Sequence, residues 1–268
     1  MSDAQTALAA RNLSAGYGTA SVINELSLAI PSGRFTALLG PNGCGKSTLL
    51  RALAGLQPLR QGDVLLHGTP IAGMATKALA RRIAVLAQGA QTPEGLTVND
   101  LVRQGRYPHR SLLGGWSPRD AATVDDALRL TGMTHLRDRL MDNLSGGQRQ
   151  RAWIAMTLAQ QGDILLLDEP TSYLDLAHQI EVLNLVRDLI DNRKVTVVAV
   201  LHDLNQAARY ADHMILLKHG ALWAEGIPLD VVTADHVRDV FGVEVAILPD
   251  PETGTPMCIP RRRQEFRT

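Results

Sequence analysis

The sequence predicts an α/β fold in which a buried, mostly parallel sheet carries an antiparallel β subdomain and an inserted α-helical subdomain. Three observations lead there. The apolar runs "RFTALLG", "DILLLDEP" and "KVTVVAVLHD" have the length and continuity of strands buried on both faces. A glycine-rich run, "GPNGCGKST", lies between the first of these strands and a helical pattern. From 89 to 160, strand-like runs vanish and helix-start signals recur.

Taken in order, the first 35 residues and "GDVLLHGTPIA" hold short apolar stretches broken by Gly and Pro, which suits a small antiparallel sheet. "RFTALLG" follows as a strand, and "KSTLLRALAGL" as a helix that stops near Gly55. Thr97 with Asp100, and Ser117 with Pro118 and Asp120, mark two further helix starts. "AATVDDALRLTGM" places apolar residues at Val124, Ala127, Leu128 and Leu130, with Gly132 as a stop. Ser145 is placed to cap a long helix, and Asp175 to cap another between the last two buried strands. "HG" between "HMILLK" and "ALWAEG" reads as a hairpin turn, followed by short helices. The tail ends in "RRRQEFRT", whose four arginines read as a solvated end. The expected division is a core of 1–88 and 161–268 with the segment 89–160 inserted, and no internal repeat is seen.

Bulk properties narrow the function classes. A chain of 268 residues with 45% hydrophobic composition supports one large globular unit. Lys plus Arg and Asp plus Glu number 27 each, so no overall basic field exists to hold nucleic acid. The cysteines Cys44 and Cys258 form no zinc or disulfide framework, and the start "MSDAQTALAA" lacks the pattern of a secretory signal. A reducing cytoplasm is the expected compartment. Apolar runs fall far short of the ~20 residues that cross a bilayer, so any membrane involved would be spanned by another chain.

Gly40, Gly45, Lys46 and Ser47 fit G-x-x-x-x-G-K-[ST], with a strand before and a helix after. Backbone amides and the helix N-terminus can then wrap phosphate oxygens. Lys46 would reach the outer phosphates of a nucleotide. Ser47 would offer its hydroxyl to Mg2+, and Thr48 would touch the inner phosphate. Cys44 fits as a small residue, and its nearness to a helix N-terminus favours a lowered pKa. "ILLLDE" adds two carboxylates at a strand end: Asp168 for the metal shell, and Glu169 to orient or deprotonate the attacking water. An acidic pair in such a place is elsewhere often a helix cap. His202 ends the next strand, where it could sense the γ-phosphate, although a lone His is usually structural. The second glycine run, "LSGGQ", places Ser145, Gly146 and Gly147 at a helix N-terminus, a second phosphate cradle or a capped helix alone.

"GPNGCGKST", Gln88, "LSGGQ", "LLLDEP", "SYLD" at 172 to 175 and "LHD" occur in the order found in ATP-binding cassette ATPases, which the chain resembles over nearly its whole length. The resemblance implies a P-loop NTPase fold of ATP-binding cassette type, ATP and Mg2+ as cofactors, and a head-to-tail dimer with a second copy. Each ATP would lie between Gly40 to Thr48 of one chain, Asn42, Gly43 and Cys44 included, and Ser145, Gly146, Gly147 and Gln148 of the other. It further implies that Tyr17 stacks on adenine, that Gln88 touches the metal and links to a membrane partner, and that Asp175 serves an inter-subunit loop. Tyr17 beside Gly16 and Gly18 could equally be a turn residue packing on the sheet.

Within the family, "GRYPHRSLLGGW", "TSYLDLAHQIEVL", "VLHDLNQAARYAD" and "DPETGTPMCIP" resemble importers of ferric siderophores, the catecholate branch above all, with heme and vitamin B12 importers as near neighbours. This implies a multispan permease, indirectly a periplasmic or surface substrate-binding protein, and a peripheral position on the cytoplasmic face of the bacterial inner membrane. Cassette ATPases of DNA repair need a long coiled coil that 89–143 lacks, and those of the ribosome normally carry two cassettes. A soluble cassette ATPase of iron-sulfur cluster assembly is the remaining alternative.

Overall fold

The computed structural model describes residues 5–89, 94–110 and 115–261. Part of "GRYPHRSLLGGW" and most of the arginine-rich tail lie outside these residues. The chain runs β1 (Thr6–Tyr17), β2 (Ala20–Pro31), β3 (Phe35–Leu39), α1 (Lys46–Leu53), β4 (Leu59–Leu66), β5 (Thr69–Pro70), α2 (Thr76–Ala80) and β6 (Ile83–Leu86). Three α-helices follow, α3 (Val98–Gln104), α4 (Pro118–Leu130) and α5 (Gly146–Ala159). Then come β7 (Ile164–Leu167), α6 (Leu176–Arg193), β8 (Thr196–Val200), α7 (Leu204–Tyr210), β9 (His213–Lys218) and β10 (Ala221–Gly226). Two short helices, α8 (Pro228–Val231) and α9 (Ala234–Phe241), precede a terminal hairpin of β11 (Val245–Pro249) and β12 (Pro256–Pro260).

The main sheet has the order β10-β9-β3-β8-β7-β6, parallel throughout except for the β9–β10 hairpin. Its central strands are buried on both faces, which is why they read as unbroken apolar runs. Alternate residues serve different cores. Leu165, Leu167, Val197 and Ala199 pack against Val182, Leu183 and Val186 of α6. Leu166, Val198 and Val200 face the other way, toward Leu49, Leu50 and Leu53 of α1 and the second sheet, β2-β1-β4-β5. Each fully buried leucine contributes about 2 kcal/mol through apolar area removed from water.

A third core is helical. Val98, Leu101 and Val102 of α3, Val124, Ala127 and Leu128 of α4, and Ala152 and Ala155 of α5 enclose it. α3 and α4 start in capping boxes, Thr97 with Asp100 and Ser117 with Asp120. Leu130 of α4 packs on the core beneath the main sheet. α1 ends at Leu53, with Gly55 left-handed two residues later, and His219–Gly220 forms the β9–β10 turn with both φ values positive. Two features go beyond the sequence expectation. β6 adds a further parallel edge strand to the main sheet. The tail is not a simple extension: β11 and β12 pair antiparallel, and Asn205 of α7 holds β12 through both its amide groups, accepting from the Cys258 amide at 2.7 Å and donating to its carbonyl at 3.2 Å.

Candidate functional site

The carboxyl ends of β3, β7 and β8 converge on one cleft of 710 Å³. β3 leads into the glycine-rich loop, where a side chain would be strained at two positions. Gly40 has φ 145°, and a Cβ there would stand 2.3 Å from the carbonyl oxygen of Leu217. Gly45, φ 107°, would put a Cβ 2.5 Å from Cδ1 of Ile23. The chain can thus fold tightly over the start of α1, whose first-turn amides at Lys46, Ser47 and Thr48 have no intrahelical partner and line the cleft with Asn42 and Gly43. Lys46 is buried, and its Nζ donates to the carbonyls of Gly40 at 2.8 Å and Pro41 at 2.9 Å. The ammonium is therefore held against its own loop, aimed into the cleft.

Opposite the loop, Ser47 donates its hydroxyl to Asp168 Oδ1 at 2.9 Å. The second oxygen of Asp168 is buried without a hydrogen-bond partner. Burial pushes the Asp168 carboxyl up, the Ser47 hydrogen bond opposes this, and the charge of neighbouring Glu169 adds to the rise. Such a group is stabilised by a cation placed at its free oxygen. Glu169 is built differently. Its backbone is left-handed, φ 53°, a conformation that costs a non-glycine residue about 1–3 kcal/mol and recurs at functional sites. Its Oε1 lies 2.8 Å from His202 Nε2, and its Oε2 accepts from Ser172 Oγ at 2.8 Å. Burial would raise its pKa, but the His202 and Ser172 hydrogen bonds, the His202 charge and Gln88 outweigh burial and leave it lowered. Glu169 is thus held as an ion at the cleft wall.

Other expected residues lie elsewhere. The Cys44 thiol does not face the cleft: it is buried in the core with Leu49 and Leu50, against the space over Gly40. Desolvation there outweighs the nearby Lys46 charge and raises its pKa, which corrects the expected lowering. Tyr17 sits half-exposed at the β1–β2 turn and does not line the cleft, although Val22 of β2 does. Gln88, exposed just after β6, lines both this cleft and a smaller cavity of 120 Å³ behind it, where Gly146 and Trp153 of α5 meet Asp168 and Glu169.

Ser145 caps α5 and is exposed, its Oγ accepting from the Gln148 amide at 3.3 Å while Gln148 Oε1 accepts from the Ser145 amide at 3.1 Å. Neither lines the cleft of Lys46. Asp175 caps α6 and pairs with Nδ1 of His178 at 2.6 Å, and the His178 ring lies against Gly147, where a Cβ would approach it to 2.5 Å. One chain therefore presents a glycine-rich loop with two carboxylates, and separately an open helix N-terminus.

Ser172, Tyr173 and His178 were not singled out by residue chemistry. Ser172 follows Glu169 by three residues, a spacing that brings two side chains together in a tight turn, and is the one of the three with a readable signal. No helix among the described residues is long and apolar enough to cross a membrane.

With this geometry in view, a family model described as ABC transporter matches residues 23–172. The chain is 54% identical over 256 residues to the petrobactin import ATP-binding protein FpuD of Bacillus anthracis, covering 96% of this chain and 94% of that one. It is 49% identical over 263 residues to the ferric enterobactin transport ATP-binding protein FepC of Escherichia coli, covering 98% and 97%. Among solved structures, a chain of an inward-facing ABC transporter described as of metal-chelate type aligns with a TM-score of 0.84 and 30% identity, over 96% of this chain and 98% of that one.

Proposed function

The chain belongs to the ABC transporter family and is an ATP-binding ATPase of it, and from that premise we propose that it energises import of an iron(III)-siderophore complex through a membrane permease. Members of the family work as dimers with permease components. The observation that carries the reading is the convergence of Lys46, Ser47, Glu169 and His202 on one cleft, with Asp168 hydrogen-bonded to Ser47, in a chain whose relatives are named for siderophore import. The iron-sulfur assembly alternative finds no support among these relatives. Cobalamin import ATPases are more distant, at 41% over 239 residues.

In this reading the loop from Gly40 to Thr48 holds the phosphates of ATP, with Asn42, Gly43 and the Cys44 backbone in the wrap and Lys46 turning from the Gly40 and Pro41 carbonyls to the outer phosphates. Mg2+ would be held by Ser47 and by the free oxygen of Asp168, with Gln88 beside it, and would neutralise developing phosphate charge. Glu169 orients the attacking water and accepts its proton, and His202 holds Glu169 and contacts the γ-phosphate. Tyr17, half-exposed at the β1–β2 turn, stacks on adenine. Ser145, Gly146, Gly147 and Gln148 of one chain complete the site of its partner, and Asp175 lies between the two sites. Residues 1–88 and 161–268 form the ATP-binding core, and 89–160 the lobe that carries this second half-site. The chain sits on the cytoplasmic face of the inner membrane, and a substrate-binding protein delivers the chelate to the permease.

The test is uptake of an iron(III)-catecholate chelate by cells whose only copy of this chain carries Glu169→Gln. Loss of uptake, with the protein still present, supports the reading. Uptake at the normal rate, alongside loss of heme or cobalamin uptake, overturns the siderophore assignment.

A further inference from the structure

α6 starts immediately after Asp175, and its first turn touches α7, the helix behind His202. The contact is made by Gln179, a half-buried residue whose amide is used at both ends. Its Nε2 donates to the carbonyl of Leu174 at 3.0 Å, and its Oε1 accepts from Nε2 of Gln206 at 2.8 Å. The orientation is set by chemistry. A backbone carbonyl can only accept, so Gln179 presents its NH2 to Leu174 and its oxygen to Gln206. Gln206 must then present its own NH2. Turning over the Gln179 amide would set oxygen against oxygen at Leu174 and nitrogen against nitrogen at Gln206.

The two ends of this relay are functionally distinct. Leu174 directly precedes Asp175 in the loop that runs from Glu169 through Ser172. Gln206 lies in the first turn of α7, which Asp203 caps through the Asn205 and Gln206 amides at 2.8 and 2.9 Å, directly after His202. Behind α7, the Asn205 side chain is fixed to Cys258 of β12. The helix is thus held from the rear by the terminal hairpin and from the front by Gln179.

We propose that Gln179 is a positioning residue for ATP hydrolysis, fixing the Leu174–Asp175 loop to the helix that follows His202 so that Glu169, approached by the loop from one side and by His202 from the other, keeps its orientation. This rests on the reading of Glu169 and His202 given above. It concerns geometry at the reacting water and not nucleotide binding, so kcat should suffer and KM should not.

The experiment uses the full chain, with Mg-ATP hydrolysis and thermal melting measured for Gln179→Met, Gln206→Met, the double variant and Gln179→Glu. Each methionine variant should lower kcat by about ten-fold, the scale of a sub-ångström misplacement near the chemistry, with KM for ATP unchanged within about two-fold. The double variant should be no slower than either single one, because both cut the same relay. Gln179→Glu keeps an acceptor for Gln206 but sets a carboxylate against the Leu174 carbonyl, so it should be as slow as Gln179→Met. Losses that multiply in the double variant, or a Gln179→Glu variant that turns over at the original rate, would overturn the proposal in favour of plain α6–α7 packing. Glu169→Gln is the control for the underlying reading: if it hydrolyses ATP normally, the cleft assignment fails by itself, whatever Gln179 does.

Discussion

His202 Nε2 lies 2.8 Å from Glu169 Oε1, and this contact joins the ends of two adjacent parallel strands at the wall of the cleft beside the glycine-rich loop. It helps hold Glu169 below the usual glutamate range, against the effect of burial. Replacing His202 with alanine should therefore raise the Glu169 pKa and move the acid limb of the kcat–pH profile upward, so that activity is lost at a higher pH as the solution is acidified. An acid limb that stays in place would show that Glu169 does not govern it. Glu169→Gln itself should cut turnover by about a hundred-fold or more while leaving ATP binding intact.

The glycines of the glycine-rich loop should differ sharply in tolerance. A Cβ at Gly40 meets the Leu217 backbone at 2.3 Å, whereas at Gly43 nothing lies within 4 Å. Gly43→Ala should cost about 1–2 kcal/mol, the penalty for its left-handed backbone at φ 76°. Gly40→Ala carries strain and a clash that only the main chain can relieve, so chemical denaturation should show the larger loss. Equal stability of the two variants would contradict the loop geometry.

Cys44 should react slowly with thiol reagents whether or not ATP is present. Its sulfur is buried in the core and its pKa is raised, so the thiolate is both scarce and inaccessible. Labelling of native protein at the rate of an exposed thiol, with protection by ATP, would place the sulfur on the phosphate path instead.

Arg106 is 2% exposed and is held by Asp120 at 2.8 Å, by the Ala159 carbonyl at 2.9 Å and by Gln161 Oε1 at 2.9 Å, joining the ends of α3, α4 and α5. The Ser117 and Arg106 hydrogen bonds lower the Asp120 pKa to about 2. Asp120→Asn leaves a buried guanidinium unpaired and should destabilise the chain by about 3–5 kcal/mol near neutral pH. Because the native carboxyl titrates lower than the unfolded one, near ~3.9, its contribution is complete above that value and lost as the pH falls toward about 2. The gap in melting temperature between the two proteins should shrink across that window. A gap independent of pH would exclude the ion pair as its source.

Legibility in the sequence followed the strength of each local signal. β3, β7 and β8 declared themselves because strands buried on both faces need unbroken apolar runs, and the caps at Thr97, Ser117, Ser145 and Asp175 declared themselves because an exposed first turn needs a side-chain acceptor. β6, as short as β7, is an edge strand without the acidic pair that ends β7, and β11 is half-exposed, so neither offers enough pattern to be read. At the site, Lys46, Ser47, Asp168, Glu169 and His202 were legible because their chemistry recurs in fixed order. The orientation of Cys44 was not, since it depends on how the loop turns over Gly40. Gln179 was also illegible, because its partners are a backbone carbonyl and a residue 27 positions away.

The central claim is that Lys46 of one chain and Ser145 of another serve the same ATP. Lys46→Ala and Ser145→Arg, in separate chains that also carry Glu169→Gln, disable opposite halves of the site: the first removes a charge-assisted phosphate contact, and the second blocks the open N-terminus of α5 with a bulky cation. Each homodimer has two defective sites. A mixed dimer gathers both defects into one site and leaves the other with an intact Lys46 and an intact Ser145. The measurement is the amount of ATP trapped per dimer on mixing: the account predicts about one ATP per mixed dimer, and trapping no greater than in the two homodimers would contradict it.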